Sequence, residues 1–272
     1  MTFRSHIARD FDFSLPSNRL LVGLVGVGLI AGLAVWLTGG ETTALWAPVH
    51  MFLAWALVRE LDPDHEATAL IAGFGAGLWV LAGFQVVGAL TVLGLMLAAR
   101  VVVRTTGRKP LVSDLVVLGV LTAVISFTVT GWVAGFGLAV AIYVDDRMSG
   151  KPSTPGAVTA ALGALGASVV ATLNQVFPQQ MPDIRPLLVV AVGALALVAV
   201  IREPEIPTSL VDSRMKTPIG QARLHAGRGL IGVLMFLAAF LVGPDLEAMG
   251  PVIIAVTLVL VSNEIERIRR RR

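Results

Sequence analysis

The sequence predicts an all-α integral membrane protein, a bundle of about ten transmembrane helices with both termini on the cytoplasmic side. Three observations predict it: an apolar composition, a succession of apolar stretches of helix length, and a one-sided distribution of Lys and Arg. Apolar residues make up 56% of the chain and charged residues only 14%, against about 45–50% and about 25% in soluble domains. With a mean hydropathy of +0.82, the chain has too few polar residues to coat a water-soluble core, so most of its surface must meet lipid. The pI is near 9.9, but the formal charge is only +3 and the basic residues gather at the ends of apolar stretches. Membrane orientation, not nucleic acid, accounts for them. The absence of cysteine excludes disulfides, thiolate metal sites and cysteine nucleophiles.

Arg4, Arg9, Asp10, Asp12 and Arg19 precede the first apolar run, which begins at Leu20. That run has spanning length and no small-residue cleavage pattern, so it reads as a retained first helix and not a signal peptide. The stretches follow at 20–38, 44–59, 67–84, 86–103, 112–128, 131–144, 156–174, 186–201, 228–243 and 250–264. Several fall short of the roughly 20 residues that cross a typical hydrocarbon core, which local thinning accommodates. The segment 112–144 is too long for one crossing, and Thr130-Gly131-Trp132 is taken as the turn that divides it. The largest piece outside the apolar stretches, 202–227, holds Pro204, Pro207 and Pro218 and is too small for a domain. Residues 1–272 therefore read as a single transmembrane domain in a cell membrane.

The positive-inside rule tests this count independently of hydropathy. With the N-terminus inside, every Lys and Arg except Arg185 falls in an inner segment. Trp36, Trp46 and Trp132 fall at the outer boundary, where indoles prefer to sit. Clustered glycines (Gly23, Gly26, Gly28 and Gly32; Gly73, Gly75 and Gly77; Gly163 and Gly166) predict close helix packing within the bundle. Three inner loops look alike: Arg104 to Pro110, Val144 to Pro152, and Val211 to Pro218. The last two share Val-Asp-x-Arg-Met, which fits either a parallel repeat or ordinary Gly-, Pro- and Arg-rich turns.

The candidate chemistry lies in these inner loops. Asp62 and Asp64, with Glu60, His65 and Glu66 beside them, form an acidic cluster in a chain poor in charge. Together with Asp145 and Asp146 they offer hard oxygen ligands suited to Mg²⁺. Arg104, Lys109, Arg147 and Lys151 would contact the phosphates of a substrate, and Asp114 and Asp212 lie on the same side. The alternative is structural: Asp62-Pro63-Asp64 starts a turn, Asp64 caps the next helix, and Glu66 favours its first turn. His50 is the one ionisable residue well inside an apolar stretch. It reads as a neutral side chain hydrogen-bonded to a neighbouring helix, or as a titrating intramembrane site. No carboxylate, Lys or Arg lies near a predicted midplane, which weakens the case for cation pumps and proton-coupled carriers. No P-loop, His-Glu-x-x-His or nucleophile elbow is present.

The acidic inner loops above an apolar bundle resemble those of the polytopic prenyltransferases of the ubiquinone-biosynthesis type, which implies Mg-diphosphate chemistry. Their Asn-x-x-x-Asp spacing is absent here, replaced by Asp62-x-Asp64 and Asp145-Asp146. In size and both-ends-in plan the chain resembles the drug/metabolite transporter group, which implies transport. The expected function is a carrier or permease for a small organic or amphipathic solute. The alternatives are an enzyme acting on a lipid phosphate or diphosphate at the cytoplasmic face, and a non-catalytic membrane subunit. The expected partners are the lipid bilayer and a small-molecule or lipid substrate, with no nucleic acid; a homo-oligomer or partner subunit stays open.

Overall fold

The computed structural model describes residues 5–8, 11–150, 153–176, 186–204, 217–242 and 248–271. The described residues form ten α-helices and one 3₁₀ turn, with no strand. The helices are α1 (Pro16–Leu37), α2 (Ala47–Leu61), α3 (Glu66–Leu81), α4 (Ala89–Val103), α5 (Val112–Val124), α6 (Val129–Met148), α7 (Thr154–Leu173), α8 (Pro186–Ile201), α9 (Gln221–Val242) and α10 (Gly250–Arg271). Each corresponds to one apolar stretch of the sequence. Among the described residues four helices are long and apolar enough to cross a membrane: α1, α6, α7 and α9 over Gln221–Leu241. The shortest, α5, has 13 residues, or about 20 Å at 1.5 Å per residue.

The chain divides into two compact units, one of residues 10–92 and 245–272, the other of residues 1–9 and 93–244. In the first, α2 is the central helix. It packs on α1, α3 and α10 and is buried continuously from Leu53 to Val58. Glycine makes this possible. Gly28 of α1 and Gly77 of α3 both face the Met51 thioether, and Gly73 sits where a Cβ would lie 2.9 Å from the Met51 carbonyl oxygen. Gly23 and Gly26, by contrast, face open space, so only part of the glycine track of α1 serves packing. Lipid tails are as apolar as side chains, so close backbone approach and dispersion do here what hydrophobic burial does in water.

In the second unit α6 takes the central place, packed on α5, α7 and α9, while α8 packs on α9. Gly137 of α6 receives Leu234 of α9, and Gly135 lies against the Thr122 carbonyl and Ser126 Oγ of α5. Thr122 Oγ1 donates to the Gly163 carbonyl of α7 at 3.0 Å. That bond is a polar fastener between helices in an apolar setting.

The structure moves one predicted turn. The break between α5 and α6 lies at Ile125–Thr128, and Gly131 belongs to the first turn of α6. Thr128 decides this: its hydroxyl accepts the Gly131 N–H at 3.0 Å, an N-cap that starts the helix two residues earlier than apolarity alone indicates. The start of α9 also moves, to Gln221, because Arg223 and His225 belong to the helix before the apolar run begins at 228. The loop with Val211 to Met215, Arg185 and Asp212 lies outside the described residues.

Gly131 and Gly77 separate two kinds of glycine. A Cβ at Gly131 would strike the Ile125 carbonyl oxygen, which is backbone, whereas at Gly77 it would strike only side-chain atoms of Met51, from Cγ to the terminal methyl. Gly131→Ala is expected to destabilise by about 1–3 kcal/mol, and Gly77→Ala by clearly less. Unfolding of the purified variants in detergent measures both; equal losses would contradict this distinction.

Candidate functional site

In the second unit, the segment 104–111, residues 149, 150 and 153, the start of α9 and residues 5–8 come together at one end. Asp145, in the last turn of α6, is buried and accepts from two arginines. Arg104 donates through Nε to Oδ1 at 2.5 Å and through Nη2 to Oδ2 at 2.9 Å, a bidentate pair. Arg223 of α9 donates to the same Oδ1 at 2.7 Å and to the Val102 carbonyl at 2.9 Å. Ser149 Oγ completes the arrangement, accepting from Arg104 at 2.5 Å and donating to the Asp145 carbonyl at 2.6 Å. Three helices, α4, α6 and α9, are thus joined through one carboxylate. Arg104 ends α4 with a left-handed backbone, φ +56°, which an L-residue adopts at a cost of about 1–2 kcal/mol. Strain of this kind persists where surrounding contacts over-determine it.

Asp146 makes a second fastener. Its carboxylate accepts from Lys109 Nζ at 2.9 Å, from Ser153 Oγ at 2.6 Å and from the Ser153 N–H at 2.7 Å. Ser153 in turn caps α7 by accepting the Gly156 N–H at 3.2 Å. Asp114 accepts the N–H groups of Leu111 and His6, each at 2.9 Å, and His6 Nδ1 lies 2.9 Å from the Lys109 carbonyl, so the N-terminal segment is tied to the same end. Arg147 turns away and stacks over the Tyr143 ring at 5.0 Å. Lys151 lies outside the described residues.

In the first unit Asp62 ends α2 and is buried. It accepts from His65 Nδ1 at 2.8 Å, Ser262 Oγ at 2.6 Å and Asn263 Nδ2 at 3.1 Å, so α2 is stapled to α10. Asp64 is half-buried in the turn before α3, and Glu66 opens α3 and pairs with Arg59 at 3.5 Å. Asp62 and Asp64 thus belong to one compact unit, Asp145 and Asp146 to the other.

His50 is buried in the first turn of α2, at the opposite end of that unit from Asp62. Its Nδ1 lies 3.1 Å from the Trp46 carbonyl and its Nε2 3.0 Å from the Val87 carbonyl. Val87 N–H donates to the Ala248 carbonyl at 2.8 Å. The imidazole thus pins the non-helical segment after α3, not a neighbouring helix. Carbonyl oxygens only accept, so a neutral ring satisfies one of the two contacts. Trp36 and Trp46 are exposed at this same end, and Trp79 stacks on Phe84 at 4.5 Å, an aromatic cluster of the kind found at a membrane boundary.

Comparison of the chain with protein-family models, with curated proteins and with solved structures finds no match. What the sites do must therefore be argued from their own geometry. Among the described residues no group of three or more His, Asp or Glu side chains is arranged to hold a metal ion. Asp62, Asp145 and Asp146 each already accept three hydrogen bonds from the protein. A cation would have to displace those donors.

The partners Arg223, Ser149, Ser153, Ser262 and Asn263 were not singled out by sequence spacing. Only Ser153 carried a local signal, as a helix N-cap just after Pro152.

Removing the Asp145 carboxylate leaves two arginines facing each other. Asp145→Ala is expected to cost about 3 kcal/mol, the low end for a broken buried pair because both guanidiniums keep some water contact. The same purified protein should show no specific rise in melting temperature with millimolar Mg²⁺. A Mg²⁺-dependent rise that Asp62→Asn with Asp145→Asn abolishes would reinstate the metal reading.

Proposed function

We propose that this chain is a multi-pass carrier for a small organic or amphipathic solute, with ten crossings and both termini cytoplasmic. The observation that carries the reading is the Asp145 clamp. One carboxylate on α6 holds guanidiniums from α4 and α9, and those three helices are otherwise packed through small residues. A carrier needs an end that closes firmly yet opens without unfolding, and an ion cluster at the membrane–water boundary has that property: hydration replaces each contact as it breaks. In this reading Arg104, Asp145 and Arg223 are the closed inner gate. Saturation of Asp62, Asp145 and Asp146 by protein donors counts against an enzyme that needs a Mg-diphosphate. The drug/metabolite transporter group remains the resemblance that fits this plan.

The topology is supported by the Lys and Arg distribution and by the way each unit gathers its arginine-bearing segments at one end. In this naturally cysteine-free chain, Glu41→Cys and Phe127→Cys should react with an impermeant thiol reagent in intact cells. Arg108→Cys and Arg269→Cys should react only after permeabilisation. Labelling of all four in intact cells would sink the ten-crossing arrangement.

For the carrier itself, small organic acids, amino compounds and amphipathic amines are screened by thermal shift, and those that bind are tested for counterflow in proteoliposomes. Asp145→Asn should bias the gate toward the open state by about 2 kcal/mol, roughly thirtyfold in the open-to-closed ratio, and change the counterflow rate accordingly. No exchange of any solute, together with turnover of a lipid phosphate by the reconstituted protein, would replace this reading by the enzyme.

A further inference from the structure

The last turns of α10 have a polarity opposite to that of a water-exposed helix. Ser262 and Asn263 point inward, where they donate to the buried Asp62, and they follow the buried face formed by Val252, Ala255, Val256 and Val259. Outward, at the same level, Val261, Ile265 and Ile268 are exposed by nearly half their surface. At 100° per residue these three fall within one narrow stripe. Polar inside and apolar outside is the arrangement that lipid favours and water penalises.

The lengths agree. From Gly250 to Ile268 the helix rises about 27 Å, close to the roughly 30 Å of a hydrocarbon core. Basic residues gather at this end: Arg269 and Arg270 are exposed, and between Ser262 and Arg271 four arginines, the first at 267, stand against two glutamates. The glutamates pair within the helix, Glu264 with Arg267 at 3.6 Å and Glu266 with Arg270 at 3.1 Å. The helix stays unbroken to Arg271, which carries this positive charge across the depth at which headgroup phosphates lie.

We propose that residues Val261 to Arg270 of α10 form a binding surface for anionic phospholipids. Val261, Ile265 and Ile268 lie among the acyl chains, and Arg269 and Arg270 hold headgroup phosphate oxygens. The proposal rests on the membrane reading of the chain, and its test separates the two. The full chain is placed in nanodiscs of phosphatidylcholine with phosphatidylglycerol. A nitroxide is attached at Ile268→Cys, and in a second preparation at Ile30→Cys on the exposed side of α1. Both labels should collide with dissolved oxygen in preference to a water-soluble nickel chelate.

Lipids retained by the purified protein, measured by mass spectrometry, should be enriched in phosphatidylglycerol. Arg269→Gln with Arg270→Gln should lower that enrichment roughly twofold or more while leaving the melting temperature unchanged. A water-exposed label at 268 with a lipid-exposed label at 30 overturns the proposal and leaves the membrane reading intact. Water exposure of both labels overturns both. A label at 268 shielded from both collision partners assigns the stripe to a protein contact and overturns the proposal, as does equal retention of the two lipids by the parent and the double variant.

Discussion

Apolar side chains gain nothing by leaving lipid for one another, and that constraint governs how this chain packs. What remains to hold helices together is dispersion at very short range and a few polar contacts. The chain supplies the first with glycine, placed where a central helix is gripped from its sides. In one unit α2 is held by Gly28, Gly73 and Gly77; in the other α6 offers Gly135 and Gly137 to its neighbours. Met51, flexible and polarisable, fills the space that two of these glycines leave.

The polar contacts are not spread evenly. Hydroxyls such as Thr122 fasten helices along their length, whereas the carboxylates act at helix ends. Asp62, Asp114, Asp145 and Asp146 are all buried, and each accepts hydrogen bonds from groups distant in the chain or from backbone N–H groups at a helix start. Burying a carboxylate is costly unless every oxygen is occupied. Here the occupancy is complete enough that the acids read as joints. The same saturation that fixes the helix ends leaves little room for an ion.

The succession of helices was legible in the sequence because hydropathy and the Lys and Arg distribution are both strong, one-dimensional signals. Boundaries were less so: the Thr128 cap moved the α5–α6 turn, and Arg223 and His225 lengthened α9 ahead of its apolar run. Asp145, Asp146, Arg104 and Lys109 were recognisable as an unusual concentration of charge, but their mutual pairing was not. That pairing depends on which helices are neighbours. His50 was visible as an oddity, while its true contact, the Val87 carbonyl, is a backbone atom that carries no sequence signal.

The staple between Asp62 and α10 joins residues 200 positions apart. During synthesis α2 and α3 are therefore made long before Ser262 and Asn263 exist. Until then the Asp62 carboxylate lacks two of the side chains that donate to it in the finished fold. The first unit is completed only once α10 has been made. A chain cut short before α10 would carry an incompletely satisfied acid, a defect of the sort that proteases and chaperones can recognise.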